Sequence, residues 1–496
     1  MARERLHPLA LPECLGRIYR LSPTFSKGLL PRVVFTSLPR SEEMRPEQPA
    51  TPKEEKMTDI FASLESEVRS YSRGWDTVFD HAAGDSLYSE DGTEYLDFFS
   101  GAGALNYGHN NPLLLEPLIT YLRSGSVVHS LDMKTTAKRR FLETFLELIL
   151  VPRGMDYKVM FTGPTGTNSV EAALKLARKV TGRHQVLSFT NAFHGMTLGA
   201  LAVTGNSMKR QGAGVPLNNA SSIPYDGYLD RQTEDLLWLQ RSLEDSGSGL
   251  DKPAAVIVET VQGEGGLRAA SGAWLRRLAD ICQQHGVLLI VDDVQAGCGR
   301  TGTFFSFEEA GIRPDIVCLS KSLSGFGLPL AITLLKPELD IWQPGEHNGT
   351  FRGHNPAFVT GTAALEHFWN GRGFEQQIAA RAVQLHAALA TLAAGIEGAR
   401  VRGRGLLAGL YFPDRTMARK IAAESFARGL LVETSGPEGE VVKVMPALTI
   451  SAENMARGLD LLAGAVRSVS CERPEELSSD FGGEVLEPPA SSSVLQ

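Results

Sequence analysis

Residues 287–302 read VLLIVDDVQAGCGRTG: an apolar run that ends in two carboxylates and then a glycine-rich turn. A continuous apolar run of this length suits a strand covered on both faces of a sheet. Carboxylates at the end of such a strand need a partner or a ligand, because a buried unpaired charge is strongly unfavourable and titrates away. Two readings of Asp292 and Asp293 therefore stand side by side. One is a functional carboxylate; the other caps a nearby helix or pairs with Arg300.

Outward from this run the same alternation repeats. Strands are expected over 186–190 (VLSFT), 255–259 (AVIVE) and 315–319 (DIVCL). Between them, 168–180 places Val170, Ala173, Leu174 and Ala177 on one helical face and stops at Gly182. The stretch 272–285 does the same with Trp274, Leu278, Ile281 and Cys282, ending at Gly286. Strands alternating with amphipathic helices imply an α/β fold, a three-layer domain around a mostly parallel sheet. From about residue 372 the pattern changes to helices flanking short strands near 405–412, 430–434 and 441–444, with a last helix near 452–467. The expected division is a large domain over 105–371 and a smaller α+β domain formed by 57–104 and 372–467.

The ends differ in composition. Residues 1–56 are rich in arginine and proline and carry no apolar core after the charges, so no secretory signal is read. A flexible extension, an upstream start and an organellar transit peptide remain open for them. Residues 468–496, with their Pro, Ser and Glu, read as a disordered tail.

The chain has 496 residues, 43% hydrophobic content and a net charge of -8. That acidity weighs against a nucleic-acid binder, whose affinity rests on clustered Lys and Arg. No apolar run approaches the ~20 residues of a membrane helix. The five cysteines are scattered without CxxC spacing, which excludes a zinc knot and fits reduced thiols in the cytoplasm.

Two further segments carry chemistry. In 315–327, DIVCLSKSLSGFG, Lys321 follows an apolar strand one strand-helix-strand step after Asp292, so both can face one crevice at the carboxyl ends of the strands. A partly desolvated lysine can form a Schiff base, and a carboxylate against a pyridine nitrogen keeps that ring an electron sink. In 161–171, FTGPTGTNSVE, a Gly/Thr-rich turn runs into a helix start, which presents free N–H groups to an anion. It is not a P-loop, because Thr167-Asn168 stands where Lys-Ser/Thr would follow. A phosphate seat, a lysine and an aspartate are what pyridoxal 5'-phosphate requires.

These segments, with AFHG (192–195), ETVQGEGG (259–266) and HNGTFRGHNP (347–356), resemble the class III, or ω-amino acid, aminotransferases of the fold-type I pyridoxal-phosphate enzymes over roughly 65–465. GAGALNYGHN (101–110), RGMDYKVMFTGPTGTNSVEAALKLARKVTGR (153–183) and DDVQAGCGRTGTFFSFEEAGI (292–312) narrow the resemblance to the diaminobutyrate branch linked to ectoine biosynthesis. By that resemblance Lys321 holds the cofactor and moves protons, and Asp292 pairs with the pyridinium nitrogen. Val294 and Phe193 sandwich the ring, and Gln295 approaches its hydroxyl. Gly166 and Thr167 seat the phosphate, helped by Thr350 from a neighbouring subunit, which implies a homodimer or larger homo-oligomer. Glu264, Lys443 and Glu259 fall on the substrate side.

The implied reaction moves the amino group of L-glutamate to the terminal carbon of L-aspartate 4-semialdehyde, giving L-2,4-diaminobutyrate and 2-oxoglutarate. The chain departs from the wider class at Met196 and Lys443, where many members have arginine; an ammonium lacks a guanidinium's bidentate grip. The diaminobutyrate branch shares both changes. Rivals are a 4-aminobutyrate or ornithine transaminase, a siderophore-pathway diaminobutyrate enzyme, a glutamate semialdehyde mutase, and a cofactor-binding scaffold without turnover. His194 and His109, in glycine-rich turns, are read as structural hydrogen-bonders.

Overall fold

The computed structural model describes residues 59–229 and 235–471, so the expectations for 1–56 and for Cys14 lie outside the described residues. Two compact units are separated at Glu67/Val68. In the described part of the first, one short helix, Ile60–Leu64, is capped by Asp59, whose carboxylate accepts from Phe61 N at 3.0 Å. The remaining elements belong to the second unit.

Its centre is a seven-stranded sheet. Across it lie Lys158–Phe161, Ile332–Leu335, Ile316–Leu319, Leu288–Asp292, Ala255–Val258, Val186–Phe189 and Ala220–Ile223. Neighbouring strands from Ile316–Leu319 to Ala220–Ile223 run parallel. Ile332–Leu335 runs against both of its neighbours. The strand Leu288–Asp292 is apolar up to its last residue because both faces are covered: Leu289, Ile290 and Val291 are buried. The helix Gly166–Thr181 buries Val170, Ala173, Leu174 and Ala177 and ends on Gly182 in the left-handed conformation. Gly272–His285 ends the same way on Gly286. Cys282 and Cys318 are core residues.

Three sequence expectations need correction. No described helix joins Leu288–Asp292 to Ile316–Leu319: residues 293–315 are turns. Gly297, Gly299, Gly302 and Gly311 deny that stretch helical propensity, and Phe304, Phe305 and Phe307 anchor it by burial. The strand expected over 430–434 is two strands in different sheets. Leu430–Leu431 pairs with Glu94–Asp97, and Glu433–Ser435 pairs with Val441–Val444. The last helix runs Ala452–Cys471, four residues beyond its expected end and into the stretch read as tail; Ser470 Oγ donates to Val466 O at 2.7 Å and extends the final turn. Residues 472–496 lie outside the described residues.

A four-stranded antiparallel sheet contains Arg400–Arg404, Leu407–Tyr411, Val441–Val444 and Glu433–Ser435, in that order. No described helix is long and apolar enough to cross a membrane.

Candidate functional site

Five strands of the central sheet deliver their carboxyl ends to one edge, where open α/β sheets bind ligands. Lys158–Phe161 leads to Gly166 and Thr167, Val186–Phe189 to Phe193 and His194, and Ala255–Val258 to Glu259. Leu288–Asp292 ends in Asp292, and Ile316–Leu319 leads to Lys321. All of these residues, with Glu264, Val294 and Gln295, line a cavity of about 180 Å³. Asp292 and Lys321 thus belong to one cavity because their strands are direct neighbours, Asp292 lying opposite Cys318.

Lys321 opens a single 3-10 turn, Lys321–Ser324, with φ +49°. Left-handed backbone at a non-glycine residue is strained, and such strain gathers at functional sites. Its ammonium donates to Ala102 O at 2.9 Å, a neutral acceptor. Desolvation pushes its pKa down to about 8; the Lys443 charge adds to the fall, and Glu264, Glu433 and Asp292 oppose it.

Asp292 is held on both oxygens. Oδ2 lies 2.7 Å from His194 Nδ1, and Oδ1 accepts from Val294 N at 3.2 Å. Burial would lower His194, yet the hydrogen bond and charge of Asp292 hold its pKa above the ordinary value. His194 Nε2 is buried without a protein partner. His194 is therefore more than the turn hydrogen-bonder read from the sequence: it fixes the cavity's carboxylate. His109, by contrast, pairs with Asp97 at 2.7 Å. The alternative pairing of Asp292 or Asp293 with Arg300 is not formed. That guanidinium is fully buried and donates to Leu406 O, Pro446 O and Asn106 Oδ1.

The start of the helix Gly166–Thr181 also borders the cavity. Asn168 Oδ1 accepts from Thr165 N at 3.3 Å and from Thr165 Oγ1 at 2.8 Å. The N–H groups of Gly166 and Thr167, in the first turn, have no intrahelical carbonyl to bond. Gly166 is required by close approach, since a Cβ there would lie 2.8 Å from Val294 Cγ1. Thr167 Oγ1 lies 2.7 Å from Thr197 Oγ1, which donates to Glu171 Oε1 at 2.5 Å.

Gln295 donates to the same Ala102 carbonyl as Lys321, at 3.0 Å, and its Oε1 is buried without a partner. Glu259 accepts from Phe193 N at 2.9 Å and Gly263 N at 3.2 Å, tying the Phe193 loop to the Gly263 turn. Burial and the Asp292 charge push its pKa up to about 7.

Two of the residues singled out in the sequence stand off this cavity. Thr350 is exposed in the turn Thr350–Arg352, its carbonyl 2.8 Å from His129 Nε2. Lys443 is fully buried, 2.9 Å from Glu264 Oε1 and 2.9 Å from Glu433 Oε1. Burial would raise Glu264, but Lys443 and Lys321 hold it down to about 2. Sequence reading missed Glu433, which becomes visible only once its strand is paired opposite Lys443.

The sequence pattern of the family described as aminotransferase class-III matches residues 70–466. The chain is 61% identical over 414 residues to the diaminobutyrate–2-oxoglutarate transaminase of Streptomyces coelicolor, covering 83% of this chain and 98% of that one. It is 57% identical over 413 residues to the enzyme of the same name from Virgibacillus pantothenticus, covering 83% and 99%. The crystal structure of ornithine aminotransferase from Toxoplasma gondii superposes with a TM-score of 0.71 at 23% identity, covering 83% of this chain and 94% of that one. That likeness speaks for the fold alone.

Proposed function

The chain belongs to the class III aminotransferases and is a pyridoxal-phosphate-dependent aminotransferase; from that premise we propose that it moves the amino group of L-glutamate to C4 of L-aspartate 4-semialdehyde. The products are L-2,4-diaminobutyrate and 2-oxoglutarate. The observation that carries this reading is 61% identity to a transaminase of that name over 98% of its length.

The cavity fits the cofactor on its own chemistry. It holds a lysine of depressed pKa, an anchored carboxylate, a helix start with unpaired N–H groups, and two buried polar atoms, His194 Nε2 and Gln295 Oε1, awaiting partners. When bound, pyridoxal phosphate supplies an aldehyde that condenses with amines and a ring that delocalises charge developing on carbon. Gly166 and Thr167 would seat its phosphate, Asp292 would pair with the ring nitrogen, and Val294 and Phe193 would flank the ring. Gln295 would meet the ring hydroxyl, and Lys321 would hold the aldehyde carbon.

Lys321 Nζ also takes the proton from Cα of glutamate. With its pKa at about 8, roughly a tenth of the amine is neutral near pH 7, against roughly one in three thousand for an ordinary lysine. His194 keeps Asp292 aimed while this happens. Glu259 holds the Phe193 wall in place.

The same proposal includes the large domain over 105–371 with a small domain from 57–104 and 372–467. It includes a homodimer in which Thr350 of one subunit serves the other's phosphate seat, and work in the cytoplasm on the path to ectoine. A panel of amine donors and aldehyde acceptors, with Lys321→Ala as the blank, tests the function. Glutamate with aspartate 4-semialdehyde should give the highest kcat/KM; a preference for ornithine or 4-aminobutyrate overturns the reading.

A further inference from the structure

Beside the cofactor cavity lies a second hollow of about 600 Å³, and Glu264 lines both. Tyr71 and Trp75 form one wall, their rings stacked at 6.0 Å and 17°. Lys209 and Glu433 face the same space. The charge inventory of this wall is uneven. Lys443 stands between two carboxylates, Glu264 and Glu433, at 2.9 Å from each, with no exposed surface of its own. This trio holds one more carboxylate than ammonium, and the further cations that act on Glu264 (Lys321 and Lys209) are not among its ion pairs.

That surplus is held in tension. Burial and the Glu264 charge hold Glu433 above its ordinary pKa, while Glu264 stays ionised. A second cation would relieve the arrangement. Glu264 lines both the cofactor cavity that holds Lys321 and the hollow that holds Glu433, so a ligand reaching both positions passes Glu264. Lys209, which also lines this hollow, holds its ammonium 4.2 Å from the centre of the Phe193 ring, and it is a cation at hand for a ligand's carboxylate with Lys321 engaged at the reacting amine.

We propose that Glu433 binds the non-reacting α-ammonium of a 2,4-diamino acid whose terminal amine is presented to Lys321, with Lys209 taking that molecule's carboxylate. This rests on the substrate reading above and makes Glu433 a specificity-determining residue for it. The discrimination follows from what is left unpaired. 4-Aminobutyrate is the same molecule without the α-amine, and binding it would leave the surplus carboxylate desolvated and unsatisfied.

The test compares kcat/KM for L-2,4-diaminobutyrate and 4-aminobutyrate on the cofactor-loaded enzyme. Wild-type protein should prefer the diamino acid by at least about tenfold, the scale of one hydrogen bond to a charged group. In Glu433→Gln that preference should shrink by about 10- to 100-fold, and Glu433→Asp should retain part of it. An unchanged ratio in Glu433→Gln, including an equal fall for both substrates, overturns the proposal, because a purely structural role moves both together. If Glu433→Gln does not fold, a wild-type preference below about threefold overturns it. If wild-type enzyme turns over neither compound, the proposed function has failed instead. The pair ornithine and 5-aminopentanoate then decides the role of Glu433 by the same ratio.

Discussion

Lys321 and Lys443 are both withdrawn from bulk water, and their pKa values move in opposite directions. Lys321 falls to about 8, while Lys443 rises above its ordinary value. Burial penalises the ammonium at both positions, so the difference lies in the partners. Lys321 bonds a neutral carbonyl, Ala102 O, from a strained left-handed residue at a strand end. Lys443 sits in a regular strand with carboxylates 2.9 Å away on two sides. Withholding a counter-ion makes a lysine reactive, and supplying two makes it inert. One residue type is thus put to opposite uses.

The largest expected effect removes the reactive partner. Lys321→Ala should lower kcat by at least about 10³-fold, within the range for losing a positioned general acid-base. Steady-state rates above a tenth of wild type would detach Lys321 from the chemistry and dissolve the contrast. Next comes the inert lysine. Lys443→Met leaves the buried Glu433 and the partly buried Glu264 without their cation and should cost about 3–5 kcal/mol of unfolding free energy, read by denaturant titration. Adding Glu264→Gln and Glu433→Gln to that variant should recover most of the loss. A cost below about 1 kcal/mol would mean that the ion pairs do not set the state of Lys443.

The contrast was half legible in the sequence. Lys321 and Asp292 stand at the ends of wholly apolar strands, a pattern that survives in one dimension because both faces of a parallel sheet are covered. Their adjacency followed from strand order even though the expected intervening helix is absent. What stayed hidden was the partner a residue meets through distant pairing. His194 meets Asp292 from 98 positions away, and no local pattern distinguishes it from His109. Glu433 was hidden because the chain changes sheets at Val432, so a stretch that looked like one strand is two. Lys443 and Glu264 were picked out only through family resemblance. Periodicity reports which face of an element is buried and says nothing of which charge waits across the interface.

A labelling experiment sharpens the comparison directly. The neutral amine is the nucleophile, so an acylating reagent offered to cofactor-free protein should modify Lys321 with a rate that rises through a midpoint near pH 8. Lys443 should stay unmodified in the folded protein up to about pH 10, the range of an unperturbed lysine. In Lys443→Met the Lys321 midpoint should move upward, since a like charge that lowered it has gone. A downward shift would show that the two lysines are not coupled by charge.

The smallest effect asks whether the rule extends to acids. Glu264 beside Lys443 is held down to about 2, while Asp293, with Oδ1 buried and unpartnered, is pushed up to about 7 by burial. A raised folded-state pKa means that the folded protein keeps a proton that the unfolded chain loses. Stability from this group is therefore complete below about pH 4, the unfolded value, and disappears as pH rises through about 7. The substitution Asp293→Asn would keep an acceptor for Ser306 N, which donates to Asp293 Oδ2 at 3.0 Å, and would leave no charge to desolvate. That variant should thus gain on wild type as pH rises from about 5 to about 7, by about 1–2 kcal/mol, against an upper limit of about 1.4 kcal/mol per pH unit. Chemical denaturation at the two pH values measures it. A gain that is flat or falls with pH would show that Asp293 is ionised in the folded protein throughout, and that an acid without a counter-ion escapes the rule the two lysines obey.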